Sequence, residues 1–179
     1  CPLFERYPRL AGRTQWIALG RYPVAAQRLE RLGRRVGAAE LWIKREDLSG
    51  DLYGGNKVRK LEFTLADARA RDKEIVLTFG GIGSNHVLAT TIYARSLGMR
   101  TIALLAPQPV TGHVVKNLRA YAYFGAEVHL VDGAGAAAGI IARYPKRLIP
   151  KTYLLPFGGG EPYVGGYEVR LLAGLGDVD

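Results

Sequence analysis

The strongest constraint on this chain is a rhythm. From about residue 40, short runs rich in β-formers alternate with longer stretches of helical spacing. Residues 40–45, with Leu41, Trp42 and Ile43, read as a strand, as do 75–78, 101–105, 127–131 and 151–155. Between them the spacing predicts helices over 57–71, from Ser84 or Asn85 to about Leu97, and over 111–124, the last closed by Gly125. In the first of these, Leu61, Leu65 and Ala68 share a face while Glu62, Asp67 and Arg69 lie elsewhere. Strands separated by helices of this length require crossovers, and crossovers of one hand build a parallel sheet covered on both faces. The fold class is therefore α/β, with parallel sheets flanked by helices. Residues 132–139 are mostly Gly and Ala and fit either a flexible loop or a small-residue helix close to the sheet. A final helix is expected over about 163–175.

Composition enters as a set of exclusions. With 48% hydrophobic residues and one cysteine among 179, the chain is neither a disordered tail nor a disulfide scaffold. No apolar run is long enough to span a membrane, and the lone cysteine points to the cytoplasm. The net charge of +9 is concentrated early, since residues 1–60 hold 13 basic side chains against 6 acidic ones. Arg28, Arg31, Arg34 and Arg35, with Leu29, Leu32 and Val36 at helical spacing, could bind a polyanion or form a solvated helix face. Without interleaved aromatics or a nucleic-acid motif, the solvated face is preferred and no nucleic-acid partner is expected. A start at Cys1 and an end at Asp179 just after an apolar run lead us to expect a truncated chain.

Two segments carry chemistry. In Gly-Gly-Asn-Lys-Val-Arg-Lys at 54–60, the glycines permit a tight turn or a close approach, and Lys57 follows at a helix start. The positive end of the helix dipole there favours the neutral amine, the form that attacks carbonyls or makes a Schiff base. A surface lysine after a turn is the plainer alternative, and Lys60 has only that reading. In Gly-Gly-Ile-Gly-Ser-Asn-His at 80–86, a glycine loop passes from the carboxyl end of a strand into a helix, the place where open parallel sheets bind ligands. Ser84 and Asn85 offer a hydroxyl and an amide, or simple helix caps. The glycine spacing matches neither a Walker loop nor a dinucleotide fingerprint. His113 and His129 lack neighbours at metal-ligand spacing and read as structural or surface histidines, so no metal is expected.

Taken together with Lys-Arg-Glu-Asp at 44–47, these ordered motifs resemble pyridoxal-phosphate enzymes of the tryptophan-synthase-β fold type. Within that group the chain is similar to the D-cysteine desulfhydrase and 1-aminocyclopropane-1-carboxylate deaminase family, over about the first half of a typical member. The resemblance implies a two-domain architecture, with 1–52 as the amino-terminal part of a large domain, 53–160 as a small α/β domain, and 161–179 as the return into the large one. It implies pyridoxal 5'-phosphate as cofactor, held by Lys57, Asn56, Asn85 and His86. Lys57 would bind it covalently and later exchange protons with the substrate, Asn85 would meet its phenolic oxygen, and Ser84 would contact the substrate carboxylate or take part in proton transfer or ring opening. His86 is the desulfhydrase-like choice, the deaminases tending to have Gln. A small amino acid is the implied substrate, converted to a 2-oxo acid and ammonia, and a homodimer is expected for the full-length protein. The alternative is an inactive remnant serving as a binding or interaction module.

This chain departs from the family pattern at several places. Gly83 stands where members usually have Gln, Val87 and Leu88 where they have a small residue and Arg, and Tyr22-Pro23-Val24 where Thr-Pro is usual. The phosphate-cupping loop and the substrate-activating tyrosines belong to the family's second half. Gly158, Gly159 and Gly160 correspond instead to the connection back to the large domain.

Overall fold

The computed structural model describes residues 1–155, so the glycine loop at 158–160 and the helix expected over 163–175 lie outside the described residues. The amino-terminal region comprises α1 (Pro2–Arg6), β1 (Ala26–Arg28), α2 (Glu30–Val36) and β2 (Trp42–Lys44). Then follow α3 (Lys57–Ala70), β3 (Ile75–Gly81), α4 (Asn85–Ser96), β4 (Arg100–Ala106), α5 (Gly112–Tyr123), β5 (Glu127–Leu130), α6 (Ala134–Ala142) and β6 (Thr152–Leu155). The last four strands form one parallel sheet in the order β5-β4-β3-β6, with Ile75 opposite both Arg100 and Thr152. The chain is thus an α/β fold with a parallel sheet flanked by helices.

Strand alternation sorts the core into two layers. Val76, Tyr153 and Leu155 face Leu61 and Leu65 of α3 and Ala89 of α4, while Ala103 and Leu105 face Val87 and Ile92 of α4 and Val114 and Tyr121 of α5. On the opposite face, Ile75, Leu77, Ile102 and Leu104 pack against Val131 and Ala137. Residues 134–142 therefore form a helix, the second of the two forms open to them, and their small side chains let it approach the sheet. Burial on both faces explains why β3 and β4 are nearly uninterrupted apolar runs.

Four expectations need correction. The strand near 40–45 is not part of the parallel sheet: β2 pairs antiparallel with β1, with Gln27 opposite Ile43, and both Trp42 and Ile43 are exposed. The short α2 connection reverses the chain, so no crossover is formed. Arg28 belongs to β1, and α2 leaves Leu32 and Val36 exposed, so the Arg-rich stretch has no buried apolar face. Strand β3 extends through Gly81, placing Gly80 and Gly81 in the sheet rather than in a loop. Glu62 is fully buried, because its carboxylate accepts from Trp16 Nε1 at 3.1 Å and from the backbone N–H groups of Leu19 and Gly20 at 3.2 Å each. Those donors fasten residues 16–20 to α3 and meet the requirement of a buried anion.

Candidate active site

Each half of the site begins with a glycine-bearing loop that opens into a helix. Before α3, the carboxylate of Glu46 pairs with the guanidinium of Arg59 through two hydrogen bonds of 2.7 and 2.9 Å, with Arg59 only 3% exposed. Arg59 also lies over the Tyr22 ring, 4.1 Å from its centroid. Ser49 Oγ accepts from the Gly55 N–H at 3.0 Å, and that N–H also reaches the Glu46 carbonyl at 2.6 Å. Gly55 adopts φ +115, a left-handed backbone, and a side chain at Gly54 would collide with the Asp47 carbonyl. The Lys-Arg-Glu-Asp motif is thus the anchor of the loop that delivers Lys57. Arg45 completes it outside, donating to Asp47 from Nη2 at 2.7 Å.

Lys57 occupies the first helical position of α3 and is half-buried. Asn56 precedes it, exposed, and makes no capping hydrogen bond with its side chain. One turn further, Lys60 is buried, 8% exposed, with no ion pair among the described residues. Burial and then the charge of Lys57 push its pKa down. The sequence reading assigned Lys60 no role; its i, i+3 spacing from Lys57 was the available signal.

The second half is the start of α4. Ser84 Oγ accepts from the Val87 N–H at 3.3 Å, so the serine caps the helix while its own O–H remains a donor. Gly80 is required below it, since a Cβ there would lie 2.7 Å from the Ser84 Cβ. Gly83 leaves room for the Gln108 carboxamide, whose Nε2 would be 2.8 Å from an added Cβ. Asn85 is exposed at the first turn, and His86 beside it is buried, with neither ring nitrogen hydrogen-bonded. Burial, followed by the charges of Lys60 and then Lys57, lowers the His86 pKa to about 4. The loop before Lys57 also reaches α4 directly, Tyr93 donating to the Tyr53 carbonyl at 2.7 Å. Asn56 makes no such link among the hydrogen bonds of the described residues.

Helix α5 holds the second loop. His113, Asn117 and Tyr121, spaced at i, i+4 and i+8, address the Gly83 and Ser84 carbonyls, with Tyr121 donating to Ser84 at 2.8 Å. Burial raises the Tyr121 pKa well above the usual phenol value, which keeps it a donor. His113 is thus structural. His129 contacts Glu127 at 3.0 Å and Tyr144 at 2.7 Å at the sheet edge, away from these loops.

The residues present fit an anionic cofactor that carries a hydrogen-bonding ring. Two ammonium groups one helical turn apart, one of them buried without a counter-ion among the described residues, call for negative charge, and a buried imidazole with neither nitrogen hydrogen-bonded among those residues calls for a polar ligand atom.

Comparison with known proteins agrees. Residues 17–169 match the family model described as pyridoxal-phosphate dependent enzyme, and the chain belongs to that family. Its relatives narrow the branch to the 1-aminocyclopropane-1-carboxylate deaminases and their D-cysteine desulfhydrase kin. A 1-aminocyclopropane-1-carboxylate deaminase from Mesorhizobium japonicum is 37% identical over 98% of this chain and 50% of its own length. A nocardicin C-9' epimerase from Nocardia uniformis is 39% identical over 74% of this chain and 42% of its own. Among solved structures, one described as a crystal structure analysis of the ACC deaminase homologue superposes with a TM-score of 0.79 at 31% identity, covering 94% of this chain and 52% of that one. The chain spans about half the length of the relatives it matches.

Proposed function

We propose that the full-length protein is a pyridoxal-phosphate-dependent lyase or deaminase of a small amino acid, with D-cysteine desulfhydration as the first reading. The single observation that carries the cofactor chemistry is a buried Lys60, one turn from Lys57 and with no carboxylate partner among the described residues, together with a buried His86 whose ring nitrogens have no hydrogen-bond partner there. When bound, the cofactor withdraws electrons from the substrate's α-carbon region and so eases bond breaking there. The residues of this chain do the rest. Lys57 supplies the amine that attaches the cofactor and holds a proton for transfer at the substrate carbon. Lys60, fixed one turn along the same helix, supplies a buried cation for the phosphate. Asn85 meets the phenolic oxygen, and His86, kept neutral, offers one donor and one acceptor nitrogen. Ser84 donates its remaining O–H to the substrate carboxylate at the amino end of α4, where the helix dipole favours an anion. Asn56 is retained as a cofactor contact on motif resemblance alone.

Residues 53–160 would form the small domain of a two-domain cytoplasmic homodimer, with 1–52 and 161–179 in the large one. Desulfhydration of D-cysteine consumes one water and yields pyruvate, hydrogen sulfide and ammonia. The second reading, favoured by the M. japonicum relative and the solved homologue, is ring opening of 1-aminocyclopropane-1-carboxylate with one water to 2-oxobutyrate and ammonia. The test uses full-length protein loaded with pyridoxal phosphate. An absorbance band at about 410–430 nm is expected for the lysine-bound cofactor, lost in Lys57→Ala and weakened by Lys60→Met. A band that survives in Lys57→Ala would sink the assignment, and assays for sulfide against 2-oxobutyrate separate the two reactions.

A further inference from the structure

The β3–α4 loop has a second layer behind it that decides what its exposed residue can recognise. Asn117, on the second turn of α5 and 3% exposed, places its Nδ2 2.8 Å from the Gly83 carbonyl and 3.0 Å from Asn85 Oδ1. His113 Nε2 lies 3.1 Å from the same carbonyl and 3.2 Å from Asn117 Nδ2. One arrangement of hydrogens pairs Gly83, Asn117 and Asn85, with the His113 and Asn117 nitrogens as two donors converging on one oxygen; the reverse, Nε2 accepting from Asn117, would set its lone pair against the Gly83 oxygen 3.1 Å away. A backbone carbonyl accepts and never donates, so the atom Asn117 turns to Gly83 must be the amide nitrogen. The Gly83 oxygen has two lone pairs, and His113, as the Nε2–H tautomer, takes the other. Asn117 then has one N–H left. Asn85 must present its oxygen to that N–H, because two amide nitrogens face to face would repel.

We propose that Asn117 is a positioning residue that sets the polarity of Asn85. With the oxygen of Asn85 held inward, its NH2 group faces the site, and the residue recognises a hydrogen-bond acceptor while rejecting a donor. A phenolate oxygen on the cofactor ring is such an acceptor. The inference rests on the reading above that Asn85 meets this oxygen, and adds that α5 imposes the match through a buried amide that itself touches no ligand.

The test compares two ligands in the full-length protein: pyridoxal phosphate, and 3-deoxypyridoxal phosphate, which lacks the phenolic oxygen. Dissociation constants are read by absorbance titration. Asn117→Leu and Asn85→Ala are each expected to weaken pyridoxal phosphate by about 5- to 20-fold and to leave the deoxy analogue unchanged, because one charge-assisted hydrogen bond is at stake. The double variant is expected to be no worse than either single one. Equal weakening of both ligands by Asn117→Leu, or none while Asn85→Ala still discriminates, overturns the role of Asn117. An Asn85→Ala variant that does not discriminate overturns the reading beneath it. Should Asn117→Leu fail to fold, Asn117→Asp keeps the shape but, ionised, cannot donate to Asn85 or Gly83. It is expected to show the same selective loss, and unchanged affinity for both ligands overturns the proposal.

Discussion

The two helix starts that make up the site are organised in opposite ways. At α3, Lys57 and Lys60 add two cations to a helix end that is already positive, and Lys60 is buried without a carboxylate partner among the described residues. At α4 the start is neutral: Ser84 caps it, and α5 grips the Gly83 and Ser84 carbonyls. The first is held in place by the Glu46–Arg59 pair, and no ion pair among the described residues offsets its two lysines. The second is largely satisfied by protein atoms, His86 excepted. The contrast is one of charge against fixed direction: α3 brings two ammonium groups, while α4 brings hydrogen-bonding groups held in place by α5.

The largest effect that could break this contrast is at the anchor of α3. Glu46→Ala removes the carboxylate hydrogen-bonded to Arg59 and leaves that guanidinium, 3% exposed, with the Tyr22 ring as a much weaker partner, and unfolding in urea is expected to show a loss of about 3–5 kcal/mol. A loss below about 1 kcal/mol would mean that the loop is held by its backbone contacts to Gly54 and Gly55 instead.

Next comes acid. The His86 pKa falls from 6.5 in the unfolded chain to about 4 in the folded protein, so the unfolded state binds the extra proton between these values. The stability this neutral imidazole contributes is fully present above pH 6.5 and drains away as pH falls toward 4, by up to about 3 kcal/mol. Thermal melts at pH 7 and pH 4.5 of the ligand-free protein should show the loss in the parent and a smaller one in His86→Gln. Identical losses in the two would remove His86 from the junction of the two helices.

The smallest effect sharpens the picture of α4. Ser84→Ala removes the cap to Val87 and is expected to cost about 1 kcal/mol, read by urea denaturation. A loss several times larger would show that the hydroxyl supports more of the loop than its cap.

How much of this could be read in advance varied by element. Helices α3, α4 and α5 and strand β4 were legible within a residue or two, because apolar spacing, caps and the closing Gly125 are local signals. Strand β2 was legible as a strand but not in its pairing, since three residues carry no information about which neighbour they will find. The two glycine motifs marked Lys57 and the Ser84–His86 segment directly. Lys60 carries no such mark, because a lysine looks solvated until packing buries it. Asn117 was invisible because an asparagine inside a helix signals nothing until another loop comes within reach of its amide.

The sequence by itself determined the strand–helix alternation, the parallel α/β class and the positions of the two glycine-bearing loops, since each follows from hydrophobic period, capping and glycine placement within a few neighbouring residues. Tertiary structure alone decided that Lys60 loses its water, that Glu62 becomes an internal anchor, that His86 is kept neutral by burial and then by charges on another helix, and that α5 dictates which way Asn85 turns. These depend on burial and on hydrogen-bond partners 30 or more residues apart, as between Asn117 and Asn85, and such partners exist only once the helices have packed.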